Sequence, residues 1–152
     1  DMALAETKIK GYKNFANKLW NISRFILENT DGIDFDPNFT AYSEADVTYR
    51  DELANLIGDI TTDMENYRFH LAAEKLYHYA WHRLADDIIE NSKNILRGDD
   101  EEAKKSRAQF LLQSLRTILT ALHPFIPFVT EELWGIINKG DTLLMIEPWP
   151  HN

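Results

Sequence analysis

Lys10, Asn14, Asn17, Asn21 and Arg24 recur at intervals of three and four residues, with Lys13 and Lys18 beside them. A helix gathers such a series on one face. Asparagine is a poor helix former, and three in one helix cost about 2 kcal/mol relative to alanine. Side-chain amides hydrogen-bond base edges and sugar hydroxyls, while Lys and Arg neutralise phosphates. Phe15, Trp20 and Phe25 lie in the same segment and offer rings on which unpaired bases stack. RNA contact is the chemistry this pattern could do. A solvated amphipathic face is the ordinary alternative, and the pattern alone leaves both open.

A second group is His78, His82 and Asp86, four residues apart and therefore on one helical face. Metal sites use this spacing, but Tyr79 stands where a zinc protease motif needs its glutamate base. Hydrogen-bonded histidines on a helix surface are the favoured reading, and no metal ligand is assigned. Asp86, Asp87 and Glu90 offer a carboxylate pair for acid–base work, yet no nucleophile accompanies them and a solvated face explains them better. Asn21-Ile22-Ser23 and Asn38-Phe39-Thr40 match the glycosylation pattern, but the first falls inside a helix and both read as chance. There is no Gly-rich phosphate loop, nucleophile elbow or Ser/His/Asp arrangement. No catalytic residue is assigned.

The whole-chain numbers frame these groups. The 152 residues contain no cysteine, which excludes a disulfide scaffold, a thiolate metal site and a cysteine nucleophile. Hydrophobic residues are 44% and charged residues 27%, the balance of a globular domain rather than a disordered one. No apolar run reaches the roughly 18 residues of a membrane span, and no signal peptide opens the chain. Met2 lies between Asp1 and Ala3 inside helix-like sequence, which reads as an excised piece of a cytoplasmic protein. Net charge is −9, which by itself disfavours nucleic acid. Its distribution says otherwise. Thr7 to Leu27 holds five basic residues and no acid, and Ala103 to Thr130 holds Lys104, Lys105, Arg107 and Arg116 and no acid. Glu28 to Glu65 holds eleven acids and only Arg50. A basic face can bind phosphate despite the acidic total, because charges beyond a Debye length of about 8 Å are screened.

The elements that must position these residues are helices. Ile9, Tyr12, Ala16, Leu19, Ile22 and Ile26 mark the buried side of the first, which ends near Leu27. An Asp-, Pro- and Asn-rich loop continues to about Tyr42. Ser43 followed by Asp46 resembles a capping box and opens a second helix, with Tyr49, Leu53, Leu56, Ile60, Met64 and Tyr67 inward. The third carries Phe69, Ala73, Leu76, Ala80, Leu84 and Ile88 inward and stops at Gly98, placed as its C′ residue. Asp99 to Glu102 open the fourth, where carboxylates suit the positive end of the dipole. Its core side is Leu111, Leu115, Ile118 and Leu122, and Pro124 ends it. A short fifth helix follows Pro127 to about Ile137, and Thr142 to Glu147 reads as extended. The second to fourth helices span about 22 to 28 residues, roughly 33 to 42 Å each. Long helices with short connections predict an all-α, antiparallel up-and-down bundle of about five helices. Residues 1–152 form one domain in this reading, with 142–150 a short tail packed on or after the bundle. A monomer is expected, since no apolar stripe is left over.

Leu122 to Trp134, LHPFIPFVTEELW, makes a corner. Proline forces the preceding residue out of the helical region, and Pro127 suits the first turn of a new helix. Phe125, Phe128, Leu133 and Trp134 are expected to seal that end of the bundle. This segment resembles the signature of the helical anticodon-binding domain of class I aminoacyl-tRNA synthetases of the valine, isoleucine and leucine group. GYKNFANKLWNISRF (Gly11 to Phe25), ENYRFHLAAEKLYHYAW (Glu65 to Trp81) and the terminal EPWP (Glu147 to Pro150) resemble the valyl type. The likeness covers almost the whole chain in the family's order. One departure is Ala85-Asp86-Asp87-Ile88-Ile89, which stands where the family often has Cys-Asp-Trp-Tyr.

The resemblance implies a non-catalytic portion of a synthetase that uses ATP and Mg to esterify valine to its tRNA. The HIGH and KMSKS motifs that bind ATP are absent from this sequence, and no cofactor is expected here. The implied partners are the anticodon stem-loop of valine tRNA, whose second and third anticodon letters would be read, and the remainder of the parent chain. It further implies that the first helix lies along that stem-loop, with Lys10, Lys13, Asn14, Phe15, Asn17, Lys18, Asn21, Arg24 and Phe25 as contacts. An isoleucyl- or leucyl-type domain is the near alternative. A helical adaptor that docks another protein, through its acidic second helix, is the alternative of a different class.

Overall fold

The computed structural model describes residues 2–150 of the chain, and side chains from residue 10 onward. Helix α1 spans Met2–Asn29, α2 Glu44–Glu65 and α3 Phe69–His78. From His78 the helix continues without a break as a π-helical segment, Tyr79–Ile89, and then as α4, Glu90–Arg97. Helix α5 is Glu101–Leu122, α6 is Pro127–Ile137, and a 3-10 turn occupies Leu144–Ile146. The all-helical reading holds. No described helix is long and apolar enough to cross a membrane.

The starts of α2 and α5 follow local chemistry. Ser43 caps α2, its Oγ accepting from the Asp46 N–H at 3.2 Å, and Asp100 caps α5 by accepting from the Ala103 N–H at 3.1 Å. The expected capping box is only half formed, because the Ser43 N–H donates to Ser106 Oγ at 2.8 Å instead of to Asp46. Pro127 stands in the first turn of α6, where its missing N–H costs nothing. Gly98 ends α4 in an extended conformation (φ −77°, ψ −176°) rather than the left-handed one expected of a C′ glycine.

Paired residues give the direction of each helix. Phe15 with Tyr77, Lys18 with Asp86 and Phe25 with Lys93 set α1 parallel to the long α3–α4 rod. Tyr49 with Asn91, Glu52 with Arg83 and Asp63 with Lys75 run α2 against it. Asp46 with Arg107 and Arg50 with Gln113 set α5 parallel to α2. The four long helices therefore alternate in direction. Their neighbours are less simple: α1 packs on α5, α6 and the π segment, whereas α2 packs on α3 and α5. The connection after α1 crosses the start of α5 and carries α2 to the far side. Gln109 clamps that crossing, accepting from the Asp36 N–H at 2.9 Å and donating to the Asp34 carbonyl at 2.8 Å.

Central position makes α5 the most buried helix, with every residue from Ser106 to Leu112 inside. Leu19, Ile26, Ile60, Leu84, Phe110 and Leu115 are fully buried around it. Several expected core residues lie outside. Tyr12 is 66% exposed, Phe69 47% and Tyr67 81%, because they sit at the end of the bundle where α1 runs in and α2 turns into α3. Tyr67 also takes a positive φ of 60°, which ends the α2 periodicity before it. At the corner Leu133 and Trp134 are buried, but Phe128 is 90% exposed and seals nothing. Ile9 lies outside the residues whose side chains are described.

The tail is not extended throughout. Leu144–Ile146 turns because the Glu131 carboxylate accepts from the N–H groups of Leu144 at 2.9 Å and Met145 at 3.1 Å. Leu144 is buried, and Trp149 Nε1 donates to Thr61 Oγ1 on α2 at 2.8 Å.

The π segment also departs from the 3.6-residue spacing. Its i→i+5 pairing widens the turn, and adjacent pairs face inward: Tyr79 and Ala80, Leu84 and Ala85, Ile88 and Ile89. Asp86 and Asp87 are left on the outer face.

Candidate nucleic-acid interface

Helix α1 presents Lys10, Lys13, Asn14, Asn17, Asn21 and Arg24 to solvent, all within about 100° of arc on a regular helix. Leu19, Ile22 and Ile26 on the opposite side are buried, so the core fixes which way the polar face points. Arg24 Nη2 donates to Asn21 Oδ1 at 2.9 Å, which positions the guanidinium along the helix and leaves its other donors outward. Among the described residues no carboxylate pairs with Lys10, Lys13 or Arg24. The stripe therefore offers three cations and three amides to a partner.

Lys18 is different. Its Nζ lies 3.1 Å from Asp86 Oδ1 and 5.1 Å over the Trp81 ring, across from the π segment. Asp86 also faces His82 Nδ1 at 3.4 Å. The hydrogen bond from Lys18, with help from His82, holds the Asp86 carboxyl below the usual carboxylate range. Its contribution to the fold is complete above the ordinary carboxylate pKa and is lost only as pH falls through the lowered one. Lys18 therefore already has a carboxylate partner, unlike Lys10, Lys13 and Arg24 among the described residues.

The aromatic residues expected to stack on bases belong mostly to the core. Phe15 is 6% exposed, with its ring 4.9 Å from Tyr77 and 6.5 Å from Trp81, so it has no free face for a base. Trp20 and Phe25 are half-buried against the core, and the Lys93 ammonium covers Phe25 at 6.0 Å. Tyr12 and Tyr77 are exposed, but on the side of α1 away from the stripe, around the cleft that Phe15 and Phe125 also line. Helical period assigns Tyr12 inward, and it does face the α5–α6 corner, but across an open cleft that leaves it exposed.

Of the four cations in the second basic stretch only Lys105 stands exposed. Arg107 is 2% exposed and donates to Asp46 Oδ1 at 2.6 Å, Asn91 Oδ1 at 2.6 Å and Ser92 Oγ at 2.8 Å. Lys104 pairs with Glu101 at 2.7 Å. Arg116 is half-buried, its guanidinium carbon 5.1 Å from the Phe35 ring centroid and 4.8 Å from that of Trp134. Burial pulls its pKa down.

His78 and His82 lie with ring centroids 5.4 Å apart, but each faces an acid on its own helix, Glu74 at 4.0 Å and Asp86 at 3.4 Å. No group of three or more such side chains among the described residues is arranged to hold a metal ion. The geometry is that of a single-sided, cation- and amide-bearing helix, suited to the backbone and sugars of a nucleic acid.

Residues 46–152 match the family model described as the anticodon-binding domain of tRNA ligase. The chain is 40% identical to a valine–tRNA ligase of Agrobacterium fabrum over 99% of its length, covering 16% of that protein. It is 39% identical to that of Pelagibacter ubique, with 99% of this chain and 18% of the relative covered. With that of Stenotrophomonas maltophilia it shares 38% identity over 99% of this chain and 16% of the relative. The chain thus spans less than a fifth of the length of these relatives. With the matched model covering well over half of its residues, the chain belongs to the family of tRNA-ligase anticodon-binding domains.

Proposed function

We propose that this chain is the anticodon-binding portion of a cytoplasmic valine–tRNA ligase and grips the anticodon stem-loop of valine tRNA along α1. The observation that carries the reading is the exposed Lys10, Lys13 and Arg24 set among exposed Asn14, Asn17 and Asn21 on one helix, with no carboxylate paired to it among the described residues, in a chain of this family. Cations meet the phosphates, and the amides meet sugar hydroxyls and base edges of the second and third anticodon letters. Aminoacylation, with its ATP and Mg, belongs in this reading to the parent enzyme and not to these residues. The chain acts as a monomer within that larger protein. The relatives named above are all valine–tRNA ligases, which favours the valyl over the isoleucyl or leucyl type and over an adaptor.

Binding of a valine tRNA transcript at low and moderate salt tests this directly, beside a transcript with a changed second anticodon letter. The unaltered transcript is expected to bind about tenfold tighter, the cost of losing one good base contact, and both should weaken as salt rises. No binding to either at low salt would overturn the reading.

The Lys18–Asp86 pair gives a second expectation. Asp86→Asn removes the charge that holds Lys18 and one negative charge facing the stem-loop. Affinity for the transcript should rise several-fold at low salt, with a salt slope steeper by about one. An unchanged slope would show that Lys18 makes no phosphate contact even when free.

A further inference from the structure

Lys18 departs from the α1 stripe by a small angle. It follows Asn14 by four residues, which turns it about 40° round the helix toward the π segment. There Asp86 holds its ammonium at 3.1 Å, and the centre of the Trp81 ring lies 5.1 Å away. Of these two holders only the carboxylate carries charge, and it is shared. Asp86 turns Oδ1 to Lys18 and Oδ2 to His82, whose Nδ1 lies 3.4 Å away. One carboxylate thus joins a cation of the RNA-facing helix to an imidazole on the neighbouring rod.

Counting charges shows what a proton does to this trio. With His82 neutral, Lys18 and Asp86 cancel. An imidazole gains its proton between about pH 8 and pH 5, and the His82 side chain is 57% exposed, so water reaches it. Asp86 stays ionised over that range, because the hydrogen bond from Lys18, with help from His82, holds its carboxyl below the usual range. The protonated trio therefore carries one positive charge, with two cations competing for one carboxylate. His82 reaches Asp86 from four residues away on the same helix. Lys18 must hold a long side chain still between two helices, at a larger cost in side-chain freedom.

The other charged groups around His82 are already engaged. On its own rod the His78 ring lies 5.4 Å away, with Glu74 4.0 Å from its Nε2. Arg83 pairs with Asp87 and with Glu52 at 2.9 Å. That pairing also answers Glu52, the α2 acid that lines the groove beside His82. Lys75 in the same groove is bound to Asp63 at 2.6 Å. From α1 the group that faces the pair is Lys18 itself.

We infer that His82 is a positioning residue for RNA binding: its proton engages Asp86 and releases Lys18 to a phosphate of the RNA held along α1. This rests on the RNA reading above and adds a proton to it. Linkage makes the effect reciprocal, so RNA that takes Lys18 favours the protonated imidazole and binding takes up a proton. Trp81 stays beside the ammonium in either state and keeps it near the stripe.

The test measures affinity of the 152-residue chain for a valine tRNA transcript at about pH 8 and about pH 6, at low and moderate salt, for the wild type, His82→Gln, Lys18→Gln and His70→Gln. The wild type should bind about fivefold tighter at the lower pH, with a salt slope steeper by about one. His82→Gln should hold its affinity within about twofold across the two pH values. So should Lys18→Gln, which keeps the imidazole but has no ammonium to release. His70 faces Glu74 at 3.9 Å on the same rod, and His70→Gln should keep the wild-type gain. The histidine side chains are exposed, so their replacement leaves the fold intact. A gain that survives His82→Gln overturns the proposal, as does one that survives Lys18→Gln, where the imidazole would act by its own charge. A wild type equally tight at both pH values, or a gain lost in His70→Gln, overturns it too. Each of these results leaves the α1 reading standing, whereas a wild type that binds no transcript at low salt removes both.

Discussion

Asp46→Ala should destabilise the chain by about 3–5 kcal/mol, the cost of leaving one member of a buried ion pair uncompensated. Asp46 is 1% exposed and Arg107 2%. Asp46 Oδ1 accepts from Arg107 Nε at 2.6 Å, while Oδ2 accepts from Ser106 Oγ at 2.5 Å and Ser43 Oγ at 3.0 Å. Arg107 continues the network to Asn91 and Ser92, so one carboxylate joins the start of α2 to α4 and α5. Losing it strands a guanidinium in the core and removes the partner of the Ser43 hydroxyl. A domain of this size has about 5–15 kcal/mol in all, so the loss should move the urea midpoint far toward zero with little change in m-value. Asp46→Leu combined with Arg107→Met should recover much of it, because apolar replacement of both partners leaves no unpaired charge. A single-variant cost under about 1 kcal/mol would mean that water reaches the pair and that it does not fasten the three helices.

Lys10→Ala, Lys13→Ala and Arg24→Ala together should lower affinity for valine tRNA about a hundredfold at 0.1 M salt and flatten the salt dependence by about three. The three side chains are exposed and the helix beneath them is held by Leu19, Ile22 and Ile26. Alanine also favours the helix, so stability should hold and the effect should lie in binding alone. Lys104→Ala is the contrast: that lysine already pairs with Glu101, and its loss should leave the salt slope within about half a unit of wild type. If the triple variant keeps its slope, the RNA is held elsewhere, and the exposed stripe is solvated surface.

The contrast between Lys104 and Lys10 shows where reading the chain stops. Much of the framework was legible because its causes act within a turn or two. Asp100 caps α5 and Pro127 begins α6 where those residue types belong, and the α1 stripe faces solvent as its three- and four-residue spacing requires. The inward residues of α5 followed too, since Leu111, Leu115, Ile118 and Leu122 are all buried. Local chemistry said nothing of the π segment, where packing of adjacent pairs overrides the ordinary helical period.

Which groups were free for chemistry was decided by residues far away in the chain. Arg107 reads as one more cation of a basic stretch, and Asp46, 61 residues earlier, takes it into the core. Lys18 belongs to the stripe by spacing, and Asp86, 68 residues later, holds it. Phe15 is an aromatic near a polar face until Tyr77 and Trp81 close over it. Arg116 lines a cleft only because the turns after α1 and α6 meet across α5. Helix position and facing come from backbone hydrogen bonds and apolar period, which are local; the availability of a charge depends on its nearest opposite charge and on burial, and both are set by which helices become neighbours.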